Sequence, residues 1–126
     1  MKYLCLAYYD EPAFEALPKA ELEAIVSQCP RYDEDLRASG HLLLQASLGS
    51  SRSTLCVRPR QGRPAVTDGP FAETKELVGG FFIIEARDLN EAIRVASKHP
   101  AAHLGERVGW GIEVRPIEGF QTGRVE

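Results

Sequence analysis

Three cysteines, Cys5, Cys29 and Cys56, are too few, too scattered and odd in number for a disulfide framework, and without a CxxC pair they supply no structural zinc site. Each sits in an apolar pattern with no base immediately beside it, so they read as small buried hydrophobes. Positive charge is also short. Fifteen Lys and Arg against 18 Asp and Glu give a net charge of −3, which leaves no basic face for a phosphate backbone and excludes direct nucleic-acid binding. The apolar stretch between Lys2 and Asp10 is too short for a signal-peptide core or a membrane span, so a cytoplasmic location away from membranes is expected. Phosphate-binding loops, dinucleotide fingerprints, nucleophile elbows and metalloprotease helix pairs are missing, and no cofactor is called for.

What is there fits one ordinary globular domain: 126 residues, 44% hydrophobic and 26% charged, taken as residues 1–120 followed by a polar tail over 121–126. Lys2 to Tyr9 alternates, with Tyr3, Cys5, Ala7 and Tyr9 on one face and Leu4, Leu6 and Tyr8 on the other, which predicts a strand covered on both sides. Pro18 suits a first helical turn and opens a helix to Ser39, kinked or briefly broken at Pro30, with Leu22, Ile25, Val26, Cys29 and Leu36 as its stripe. His41 to Leu48 reads as a second strand. Thr54 to Arg58 and Arg63 to Thr67 form a hairpin about Pro59-Arg60-Gln61-Gly62. Val78 to Ala86 predicts a central strand, with Val78, Phe82, Ile84 and Ala86 facing one way and Phe81 and Ile83 the other. Asp88 to Glu91 has the form of a capping box before a helix striped by Leu89, Ala92, Ile93 and Ala96, and Gly111 to Ile117 is the last strand.

This order predicts an α+β, ferredoxin-like split βαβ domain with an inserted β-hairpin, both helices lying on one face of an antiparallel sheet. The other face still carries Leu and Phe. A second copy packing sheet to sheet would cover it, so a homodimer is expected.

Between the hairpin and the central strand lies Thr67-Asp68-Gly69-Pro70-Phe71-Ala72-Glu73-Thr74-Lys75-Glu76, longer and more charged than a two-residue turn requires. With Met1-Lys2-Tyr3, Gly79-Gly80-Phe81, Leu89-Asn90-Glu91-Ala92 and the closing Ile112-Glu113-Val114-Arg115-Pro116-Ile117, it resembles the DGPF-containing branch of the YCII-related family over nearly the whole chain. The resemblance implies a small dimeric α/β-barrel type domain. Other branches of that family have a histidine proposed for an active site on the first helix, and the wider family includes a dehydrochlorinating activity on a chlorinated aromatic. The helix from Pro18 to Ser39 holds no histidine. Genes of DGPF-type proteins often lie beside those of extracytoplasmic-function sigma factors, which implies a regulatory or interaction role as the alternative to a small-molecule enzyme of lyase, isomerase or dehalogenase type.

Asp68, Glu73 and Lys75 are the candidate catalytic residues, since carboxylates beside an amine tune one another for proton transfer. Their ordinary reading is a turn cap and solvated loop charges. Phe71 would anchor the loop, and Lys75 would meet an anionic or polarised ligand. Tyr8, Tyr9, Arg58, Phe71 and His99 are candidate ligand-binding residues, Tyr8, Tyr9 and Arg58 each offering an apolar body with a polar tip, and Trp110 is taken as a packing anchor. His99 and His103 stand four apart, but Pro100 between them and the want of a third ligand argue against a metal.

Overall fold

Alternating apolar residues along the first strand place it in the middle of a four-stranded antiparallel sheet. β1 (Lys2–Asp10) pairs with β5 (Glu76–Glu85) on one side and β6 (Gly111–Pro116) on the other, and β2 (Leu42–Ser47) closes the far side of β5, giving the order β2-β5-β1-β6. With helices between β1 and β2 and between β5 and β6, this is the ferredoxin-like arrangement. The computed structural model describes residues 1–70 and 76–123. The core lies on one side of the sheet, where Tyr3, Cys5, Phe82 and Ile84 meet Leu36 of α3 (Cys29–Ala38) and Ala92, Val95 and Ala96 of α4 (Leu89–Ala96). Both helices therefore cover one face.

The helical stretch before β2 is more divided than its stripe predicts. A short α1 (Glu11–Glu15) follows β1 directly, capped by the Asp10 carboxylate accepting from Ala13 N–H, and was not expected. The break then falls at Ser27 and Gln28, between α2 (Lys19–Val26) and α3, and Pro30 sits harmlessly in the first turn of α3. Of the expected stripe only Leu36 is fully buried. Val26 is 52% exposed, and α2 buries no residue completely. In α4 Asp88 caps the helix as expected, accepting from Glu91 N–H, while Glu91 reaches back one residue past the cap to accept from Arg87 N–H. The buried face, however, is Ala92, Val95 and Ala96, while Leu89 and Ile93 are nearly half exposed. Small side chains let the helix lie close to the sheet, and packing at that distance outweighs the size of the apolar groups left outside.

The hairpin of β3 (Leu55–Arg60) and β4 (Arg63–Asp68) makes a separate two-stranded sheet. Its turn puts Gln61 and Gly62 both at positive φ, the geometry that matches strand twist in a two-residue loop. At the other end of β5 the register slips between Ala7–Gly80 and Tyr8–Val78. That bulge pairs Val78 with Tyr8, and so ends the alternation expected through Val78.

Strand pairing also fixes what the helices face. One row across the sheet joins Gln45, Phe82, Cys5 and Val114, and the next row outward joins Ser47, Gly80, Ala7 and Ile112. Phe82 and Cys5 of the first row are buried in the core, with Val114 packed against them. Three residues of the second are small, so the layer between sheet and helices is empty there.

Candidate functional site

That empty layer is a cavity of about 520 Å³ floored by Ala7, Gly80 and Ser47. α3 supplies Cys29 and Asp33, one turn apart on the same helical face. The segment after α4 supplies His99, Pro100 and Ala101, while Tyr9 and Phe14, meeting edge to face with ring centroids 5.7 Å apart, and Trp110 add aromatic wall. Gly79 has no Cβ, and one placed there would stand 2.8 Å from the Tyr9 ring, so the bulge is what gives Tyr9 its seat.

His99 is held on two sides. Its ring stacks on Phe82, 4.8 Å between centroids and 3° from parallel, and its Nδ1 accepts from Ala101 N–H at 3.0 Å. A backbone N–H can only donate, so Nδ1 is unprotonated and the neutral ring carries its proton on Nε2. Burial pushes the His99 pKa below its ordinary value, against an opposing pull from the Asp33 carboxylate. Nε2 has no hydrogen-bond partner among the described residues and is not sealed off, and since His99 lines the cavity, Nε2–H is the ring's uncommitted donor there. The Asp33 carboxylate likewise has no hydrogen bond or ion pair among the described residues. Two unsatisfied groups of opposite hydrogen-bonding sense thus share one space.

The other ionisable walls are occupied. Burial, and then Asp33, raise the Cys29 pKa, which keeps it a thiol. Tyr9 donates to Glu11 at 2.7 Å, and burial together with that bond pushes its phenol up to about 12. Glu11 is buried and also accepts from both the backbone N–H and the hydroxyl of Ser51, which ties α1 to the turn before β3. The Ser51 bonds, followed by Tyr9, hold the Glu11 carboxyl below its ordinary 4.5. A depressed carboxylate contributes stability above its unfolded pKa and loses it as pH falls through the folded one. Parent protein should therefore lose thermal stability below about pH 4.5 more steeply than Glu11→Gln, and equal slopes in the two thermal-melt series would contradict this.

Of the residues named from sequence, Tyr8, Tyr9 and His99 line the cavity, joined by Trp110. Tyr8 borders the cavity along β1, but strand alternation turns its side chain to the face opposite Ala7, where burial and the Glu113 carboxylate raise its pKa. Arg58 lies on β3, and Asp68 ends β4 opposite Leu55; neither lines the cavity. Phe71, Glu73 and Lys75 lie outside the described residues. His99 and His103 part company, His103 stacking on Tyr32 while His99 stacks on Phe82. Sequence inspection passed over Asp33. The available signal was an acid in line with Cys29 and Leu36 on the stripe of α3.

Residues 1–120 match the family model described as the YCII-related domain. An uncharacterized protein of Rhizobium meliloti (strain 1021) is 31% identical over 125 residues, covering 99% of this chain and 98% of its own length. Among solved structures, a 5-chloro-2-hydroxyhydroquinone dehydrochlorinase from Burkholderia phenoliruptrix, in complex with 2,5-dihydroxybenzoquinone, aligns at 16% identity with a TM-score of 0.47, over 98% of this chain and 96% of that one.

Proposed function

Because the chain belongs to the YCII-related family, we propose that its cavity binds a small molecule and moves a proton on it, chemistry of the lyase, isomerase or dehalogenase kind. One observation carries this. The unpartnered Asp33 carboxylate and the Nε2–H of His99 open into the same aromatic-walled space. Asp33 takes the proton from the ligand, and His99, kept neutral by burial and by the Ala101 amide, donates to the ligand oxygen on which negative charge grows. The Nε2–H is fixed before the ligand arrives, so little reorganisation is needed as the charge develops.

A thermal-shift screen of a metabolite library tests the site. A specific ligand should raise the melting temperature of the parent in proportion to its concentration over its Kd. Ala7→Leu fills the floor of the cavity and should stay folded while losing that shift. A ligand that stabilises Ala7→Leu as strongly as the parent binds elsewhere, and the site would then be wrong.

The same proposal takes the working form as a homodimer. Leu44, Ile83 and Leu4 share one row of the sheet face turned away from the helices, and Ala46, Phe81 and Leu6 share the next. Glu113 and Arg115 of β6 end these rows with an ion pair at 3.8 Å, so an apolar stripe runs up to a charged border. Such a surface is composed like the centre and rim of a protein interface.

A further inference from the structure

We infer that the cavity takes an uncharged or cationic ligand that brings an N–H or O–H to Asp33 and an acceptor to His99, and that it rejects carboxylates and phosphates. This rests on the cavity being the binding site proposed above. Among the described residues, no Lys or Arg lines it, and Asp33 is its one carboxylate.

Two backbone amides beside His99 are already engaged. Ala101 N–H is spent on His99 Nδ1, and Ala102 N–H on the His99 carbonyl. An anion entering here would lie beside Asp33 with no cation to receive it, only the neutral donors of His99, Gln45, Ser47 and Trp110, and the Asp33 carboxylate would repel it. A ligand with no donor fares little better, because it strips water from Asp33 and leaves a desolvated carboxylate unpaired. Each penalty disappears when the ligand presents a donor.

His99 sets the second requirement. With Nδ1 accepting, its Nε2 can only donate while the ring is neutral, so the partner atom must be an acceptor. Tyr9 offers no substitute, since its hydroxyl is bound to Glu11. The rings of Tyr9, Phe14 and Trp110 suit a flat ligand and accept a cation against their faces. Asp33 is thus the residue that determines which charge is admitted.

Three probes of one shape separate the alternatives: benzamide with donor and acceptor together, benzylammonium with donors only, and benzoate with acceptors only. Ligand-observed NMR titrations at millimolar concentration should show parent protein binding benzamide and benzylammonium each at least about tenfold more tightly than benzoate, the size expected from one unpaired buried group. Asp33→Asn, whose amide can donate, should abolish that preference by improving benzoate. Benzoate binding the parent as well as benzamide does, or no probe binding at all, would overturn the inference, as would Asp33→Asn keeping the parent's order. The Ala7→Leu variant separates this from the cavity assignment. If it loses all the probes while the parent prefers benzoate, the charge rule alone fails; if it binds them unchanged, the cavity assignment fails.

Discussion

Leu44→Asp is expected to convert a dimer of this chain into a folded monomer, read as a halving of mass by light scattering at micromolar concentration. Leu44 is 44% exposed in the protomer and sits on an edge strand, so an aspartate there meets water in the monomer and costs the fold little. In the dimer the same carboxylate would face the apolar stripe formed with Ile83 and Leu4, and an unpaired buried charge costs several kcal/mol. The half-buried Ile83, in the middle of that row, makes the stronger test at greater risk to folding. Far-UV circular dichroism distinguishes a dissociated Leu44→Asp protein from an unfolded one. A parent that is monomeric at these concentrations, or a Leu44→Asp variant that remains dimeric, would remove this face as the interface.

Gly105→Ala should lower the unfolding free energy by about 2–4 kcal/mol, combining backbone strain with a steric clash. Gly105 has φ +73°, and a Cβ built on it would fall within the Trp110 indole, ring atoms on one face of the cavity. Gly40 supplies the comparison. It has φ +80° with nothing within 4 Å of its would-be Cβ, so Gly40→Ala meets only the backbone term, about 1–2 kcal/mol. Urea unfolding of the two variants therefore isolates what the contact with Trp110 contributes. Equal losses would mean that the indole moves aside freely, and Trp110 could not then be a fixed wall.

Local pattern made the main sheet legible. Alternation marked β1 and β5, the Asp88 box marked the start of α4, and the strand and helix order led to the ferredoxin-like arrangement. The face of α4 was not legible, because Leu89 and Ile93 outrank Val95 and the alanines in hydrophobicity, whereas close packing on the sheet prefers the smaller set. The cavity was hidden for a related reason. Ser47, Gly80 and Ala7 are far apart in sequence and mean little singly; only strand register sets them side by side. His99 was visible as a candidate, but its tautomer depends on an amide two residues along, in a turn that composition alone does not specify. Charge density drew attention to Asp68, Glu73 and Lys75, whereas Asp33 lies on a helix where an acid usually faces solvent.

The isolation of the β3–β4 ladder has a kinetic consequence. Among the described residues its ladder amides bond to each other and not to the main sheet, and apart from the buried Cys56 its apolar Leu55, Val57 and Val66 are each more than half exposed, so little buried area opposes its opening. Hydrogen exchange should divide the chain into two populations, hairpin amides exchanging through local opening and the β1 and β5 amides only through global unfolding. The Glu11–Ser51 bonds stand at the foot of the hairpin, so acid that protonates Glu11 should quicken the first population before it touches the second, once the intrinsic pH dependence of exchange is removed. A protease would find its first cut in the hairpin for the same reason, with the cavity between sheet and helices still assembled behind it.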